Sequence, residues 1–88
     1  MNEDLPHELR LALELERDGA AKEAEGNFSE ALICYLRAAH AHAFLGRKTA
    51  AVHLYRKILD IDPSIVSAQQ ELSALASEGP DSGQQPPI

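Results

Sequence analysis

The chain has 88 residues, with 14 Asp and Glu against 8 Lys and Arg and a formal net charge of −6. A single core of this length buries only about 60% of the surface its unfolded chain exposes, which leaves little material for a deep catalytic cleft. The acidic balance argues against nucleic acid as the overall partner, because the molecule as a whole repels phosphate.

Ala, Leu and Glu are abundant, Trp is absent and aromatics make up 5% of the chain, so propensity favours helices over strands. The first ten residues, MNEDLPHELR, open acidic and lack an apolar signal core. No apolar run approaches the roughly 18 residues needed to cross a bilayer. Neither an export signal nor membrane insertion is expected.

In chain order, a first helix is predicted from Pro6, suited to a first helical position, to about Glu25, with Gly26 as the left-handed residue that ends it. Leu5, Leu9, Ala12, Leu13, Ala20 and Ala24 share one face at about 100° per residue. Leu11 and Leu15 fall off that stripe, and either widen the core contact or form an exposed strip for a partner helix.

A second helix starts with Asn27 as N-cap and Glu30 three residues on, and meets no breaker until Gly46. Its apolar residues run nearly all round, which predicts a helix sandwiched between neighbours. Cys34 sits among them as a small buried hydrophobe. Being single, it can form neither an internal disulfide nor a CxxC site, and a reducing, cytoplasmic setting is the default. His40 and His42, two apart, point about 200° from each other on a helix, whereas a ligand pair needs members three or four positions apart. No metal or other cofactor is expected.

A third helix runs from about Lys48 to Asp60, with Ala51, Val52, Leu54, Tyr55, Ile58 and Leu59 inward and Thr49, His53, Arg56, Lys57 and Asp60 outward. Asp62-Pro63 ends it and starts a fourth, from about Ser64 to Ser77, with Ile65, Ala68, Leu72, Leu75 and Ala76 as its stripe. Residues 1–78 thus make one α-helical domain, and GPDSGQQPPI, residues 79–88, reads as a disordered tail or linker. Charge separates along the chain: residues 1–30 hold nine acids and three bases, and residues 31–59 hold five bases and no acid. Arg47, Lys48, His53, Arg56 and Lys57 form either a solvated basic face or a site for an acidic peptide or the acidic first helix of another copy.

Two stretches share a template twenty residues apart: Gly26, Phe28, Ala31, Tyr35 and Ala38, then Gly46, Ala51, Tyr55, Ile58 and Pro63. This pattern resembles the second half of a tetratricopeptide repeat (TPR), including the LDIDP that commonly closes such a repeat. A full repeat spans 34 residues, so about 14, or roughly four turns, are missing. The resemblance therefore implies an all-α, compact antiparallel array of about four helices in which a long second helix serves both copies. Gly26-Asn27-Phe28-Ser29-Glu30-Ala31-Leu32, with Tyr35 and Ala38, also resembles the microtubule-interacting-and-transport (MIT) domain, a peptide-binding three-helix bundle.

Some TPR domains grip a C-terminal carboxylate with a Lys and an Asn on the first helix. Glu16 and Ala20 stand at those positions, so that clamp is not carried over. No paired carboxylates, phosphate loop or activated nucleophile stands out. The expected function is a non-enzymatic interaction module or adaptor that binds a peptide or helix of a partner protein, with self-association as a homo-oligomer the alternative.

Overall fold

In the computed structural model, which describes residues 6–78, four helices follow one another: α1 (His7–Ala24), α2 (Phe28–Phe44), α3 (Lys48–Ile61) and α4 (Val66–Glu78). Connections of three or four residues fold consecutive helices back antiparallel, and each helix packs chiefly against its neighbours in the chain. The fold is a compact all-α array, with no strand among the described residues. Leu5 and the segment 79–88 lie outside them.

The twenty-residue template is realised in the backbone. At the end of α1, Gly26 takes φ 82°, Asn27 N–H donates to Lys22 C=O at 2.8 Å and Gly26 N–H to Glu23 C=O at 2.9 Å. At the end of α2, Gly46 takes φ 79°, with Arg47 N–H on His42 C=O at 2.8 Å and Gly46 N–H on Ala43 C=O at 3.0 Å. Both are Schellman closures, which use a left-handed residue to satisfy the last carbonyls of a helix. The next residue then caps the following helix with nearly the same dihedrals, φ −91° ψ 75° at Asn27 and φ −90° ψ 72° at Arg47. Only Asn27 adds a side-chain cap, accepting from Glu30 N–H at 3.4 Å.

Downstream of each turn the template residues enter the core: Ala31, Tyr35 and Ala38 in one copy, Ala51, Tyr55 and Ile58 in the other, all 2% exposed or less. Small residues allow neighbouring helices to approach closely, and each Tyr fills the space this leaves. Leu54, Ala39 and Ala68 complete the buried cluster, with Leu15, Leu32, Leu36, Leu59, Leu72 and Leu75 packed around it.

Three details depart from the sequence reading. The buried face of α1 is Ala12 and Gly19, while Leu13, Ala20 and Ala24 of the expected stripe are exposed. Periodicity ranks side chains by hydropathy and so discounts a glycine, yet Gly19 is where the ring of Tyr35 enters. Pro6 is the N-cap of α1, not its first helical residue. Pro63 lies in a turn ahead of α4, because the Asp62 carboxylate takes Ser64 N–H at 3.0 Å and its hydroxyl at 2.7 Å. That Asx turn delays the helix to Val66. The two Ser64 bonds, side chain first, hold the Asp62 carboxyl below the usual range.

Candidate functional site

Three polar clusters fix the helices relative to one another, and what they leave uncovered defines the available surfaces. The first joins α1, α2 and α3. Tyr35 on α2 donates its hydroxyl to Glu23 Oε1 on α1 at 2.8 Å, and Lys57 on α3 reaches the same oxygen at 3.3 Å. The Lys57 ammonium also stands 5.7 Å from the Tyr35 ring centroid, within cation–π range. The Tyr35 hydroxyl bond, opposed by burial and aided by Lys57, holds the Glu23 carboxyl below its ordinary value.

The second cluster is centred on His42, which is fully buried. Its Nε2 lies 2.5 Å from Glu16 Oε2 on α1, and Arg47 Nε–H donates to its Nδ1 at 3.2 Å. Because Nδ1 accepts, the ring proton sits on Nε2 and is donated to the carboxylate. A buried imidazole with both nitrogens engaged ties the α2–α3 turn to α1. The third cluster is at the edge of α1 and α2, where Lys22 and Glu30 pair at 3.2 Å. The bond to Glu30 raises the Lys22 ammonium above its usual value.

These bonds divide the basic cluster expected from sequence. Lys57 turns inward to Glu23, Arg47 is engaged with His42, and His53 stays exposed on α3. Lys48 and Arg56 alone of the five line an open groove between α3 and α4. Its α3 wall is Lys48, Thr49, Val52, Arg56 and Leu59, and its α4 wall is Gln69, Leu72, Ser73, Leu75 and Ala76, around a volume of about 740 Å³. Sequence reading placed Val52, Leu59, Leu72 and Leu75 in the core. They are half-buried because α4 covers only part of the inward face of α3.

A second cleft of about 660 Å³ lies where α1, α2 and α3 meet, lined by Glu23, Phe28, Ser29, Leu32, Lys57, Asp60, Ile61 and Asp62. Its three acids against one base make it the electrostatic opposite of the α3–α4 groove. Phe28, a template residue, is 49% exposed there. Among the described residues the most exposed large apolar side chain is Phe44, 80% exposed at the end of α2, so a helix that is apolar nearly all round still leaves one side to solvent.

Leu11 and Leu15, paired by sequence, separate in the fold. Leu15 packs against the core and Leu11 is 44% exposed. Leu11→Asp is therefore expected to change the unfolding free energy by less than about 1 kcal/mol, and Leu15→Asp to cost at least about 2 kcal/mol by placing a carboxylate against apolar neighbours. Denaturant titration of the two variants checks this; equal losses would show that both leucines serve the core.

Cys34 is half-buried. His40 is exposed, its ring centroid 5.9 Å from that of Tyr55. Among the described residues, no group of three or more His, Cys, Asp or Glu side chains is placed to hold a metal ion, and no helix is long and apolar enough to cross a membrane. Comparison with family models, with curated proteins and with solved structures finds no match to the chain.

Proposed function

We propose that this chain is a non-enzymatic, TPR-like protein-interaction module of the cytoplasm, an adaptor that holds a peptide or helix of a partner protein in the groove between α3 and α4. The observation that carries the reading is the groove itself: an open channel of about 740 Å³, walled by half-buried Val and Leu side chains with the exposed Ala76 beside them. Exposed apolar channels with a polar rim are the form that docking sites for amphipathic segments take. Self-association is the second reading, favoured by the acidic first thirty residues and the basic stretch that follows.

The three lysines of the chain make the proposal testable, because each reports a different surface. Lys48 lines the α3–α4 groove, Lys57 the acidic cleft, and Lys22 the α1–α2 edge. Amine-directed crosslinking of captured complexes, mapped by mass spectrometry, is expected to join partner peptides to Lys48. Crosslinks confined to Lys22 or Lys57 would move the site elsewhere. Links only between copies of this chain, with salt-sensitive light scattering, would favour self-association.

A further inference from the structure

We propose that His42 is a proton-operated latch on the α2–α3 turn: it holds the Arg47 guanidinium while its ring is neutral and releases it when the ring takes a second proton. The device stands apart from the α3–α4 groove and does not depend on what that groove binds.

Burial and bonding define the latch. Among the described residues His42 is the one buried imidazole, while His7, His40 and His53 are exposed. The helices packed chiefly against α2 are α1 and α3, and each turns a charged group toward the ring. From α1, Glu16 Oε2 stands 2.5 Å from Nε2. From the start of α3, Arg47 Nε–H donates to Nδ1 at 3.2 Å. The imidazole therefore lies between an anion and a cation, and its two nitrogens answer a proton in opposite ways.

In the neutral ring Nε2 carries the hydrogen, so a second proton enters at Nδ1 and makes an imidazolium. On the Nε2 side the bond to the Glu16 carboxylate persists and becomes charge-assisted. On the Nδ1 side the lone pair that accepted from Arg47 is consumed. Two N–H donors then face each other, both on cations. A guanidinium has no acceptor and does not give up its proton in this pH range, so Arg47 can relieve the conflict only by moving.

The fold makes that movement local. Arg47 is exposed, so its side chain can turn into water while its backbone N–H stays on His42 C=O at 2.8 Å and Gly46 N–H on Ala43 C=O at 3.0 Å. No helix has to shift. Departure of the guanidinium also opens Nδ1 to solvent, which gives the proton its route to a ring that is otherwise fully buried. The outcome is a change of presented charge: a guanidinium committed to an internal bond becomes five free donors at the start of α3. Attraction of an anionic group to this end of the molecule then rises as pH falls.

The test is heteronuclear NMR of the full chain from about pH 8 to about pH 5, the range in which histidine changes charge, with circular dichroism on the same samples. The His42 Nδ1 signal is expected to pass from an accepting to a protonated nitrogen. Over the same range the nuclear Overhauser contact between the Arg47 side chain and the His42 ring should be lost, with helical circular dichroism unchanged. Arg47→Leu, in which the proton no longer displaces a cation, is expected to raise the midpoint by about one pH unit, tenfold in proton affinity. Glu16→Gln, which removes the anion, is expected to lower it.

A histidine with a purely structural role gives other results. A ring that keeps a single proton until the helices unfold overturns the proposal. So does a protonated ring that retains its contact with Arg47, or a midpoint that Arg47→Leu leaves unmoved.

Discussion

Gly19→Ala is expected to destabilise the protein, although alanine is the better helix former by about 1 kcal/mol in the interior of a helix. Gly19 lies within α1 and is buried. A methyl group there would stand 2.7 Å from Tyr35 Cε1, 2.8 Å from Cδ1 and 3.2 Å from Cζ. The ring cannot swing away cheaply, because its hydroxyl is held by Glu23 and Lys57 stands over its face. Overpacking of this kind costs about 1–3 kcal/mol, enough to outweigh the propensity gain. A net loss of 1 kcal/mol would lower Tm by roughly 4–8 °C in a domain of this length. The contrast lies in the partner: with Tyr35→Leu already present, Gly19→Ala should become neutral or stabilising, a coupling that a double-mutant cycle by thermal unfolding measures. A higher Tm for Gly19→Ala alone would mean that the close approach of α1 and α2 is not required.

This contact also shows what the sequence makes legible. Turns were readable because their chemistry is local: Gly26 and Gly46 adopt positive φ, and Asn27 caps α2. Repetition of Ala and Tyr after each turn located most of the core, and all of Ala31, Tyr35, Ala38, Ala51, Tyr55 and Ile58 are buried. Long-range polar partners were not readable. Nothing in the spacing pairs Glu16 with His42 or Glu23 with Lys57, since these contacts depend on how far each helix slides past the next. The groove was hidden for a related reason. Val52, Leu59, Leu72 and Leu75 carry an ordinary core pattern, and their spacing alone does not tell that they line a channel. Within the basic cluster, nothing in the spacing shows that Arg47 meets His42 or that Lys57 meets Glu23.

The two halves of the template also differ in chemistry. Twenty positions on from Gly19 and Glu23 stand Ala39 and Ala43. Tyr35 has a glycine to enter against and a carboxylate for its hydroxyl. Tyr55 has alanine at both corresponding positions, and its hydroxyl is buried without a hydrogen-bond partner. The copies thus share backbone and packing, and only the first carries the polar lock.

That difference predicts an alkaline transition with a readable cause. The chain has two tyrosines and no tryptophan, and both phenols are buried, Tyr35 at 2% and Tyr55 at 0% exposure. Burial, then the hydrogen bond from Tyr35 to Glu23, pushes the Tyr35 phenol up to about 12 from an ordinary 10.0. Burial, then the nearby charge of Glu71, does the same to Tyr55, also to about 12. Above pH 10 the unfolded chain gives up both protons while the folded one keeps them, so the folded state is progressively disfavoured. The contribution of neutral phenols is fully present below pH 10 and is lost between pH 10 and about pH 12. Each phenol accounts for at most roughly 2–3 kcal/mol, a large share of the 5–15 kcal/mol that stabilises a typical domain. Tyrosinate absorbance and helical circular dichroism, followed together, are expected to change in one cooperative step above pH 10. Tyr55→Phe removes an unpaired hydroxyl, so it should be neutral or slightly stabilising at pH 7 and should move the step to higher pH. Tyr35→Phe gives up a made bond and should cost about 1 kcal/mol at pH 7. Tyrosinate appearing near pH 10 with helicity intact would show that the phenols reach solvent without unfolding, and would remove burial as the origin of the transition.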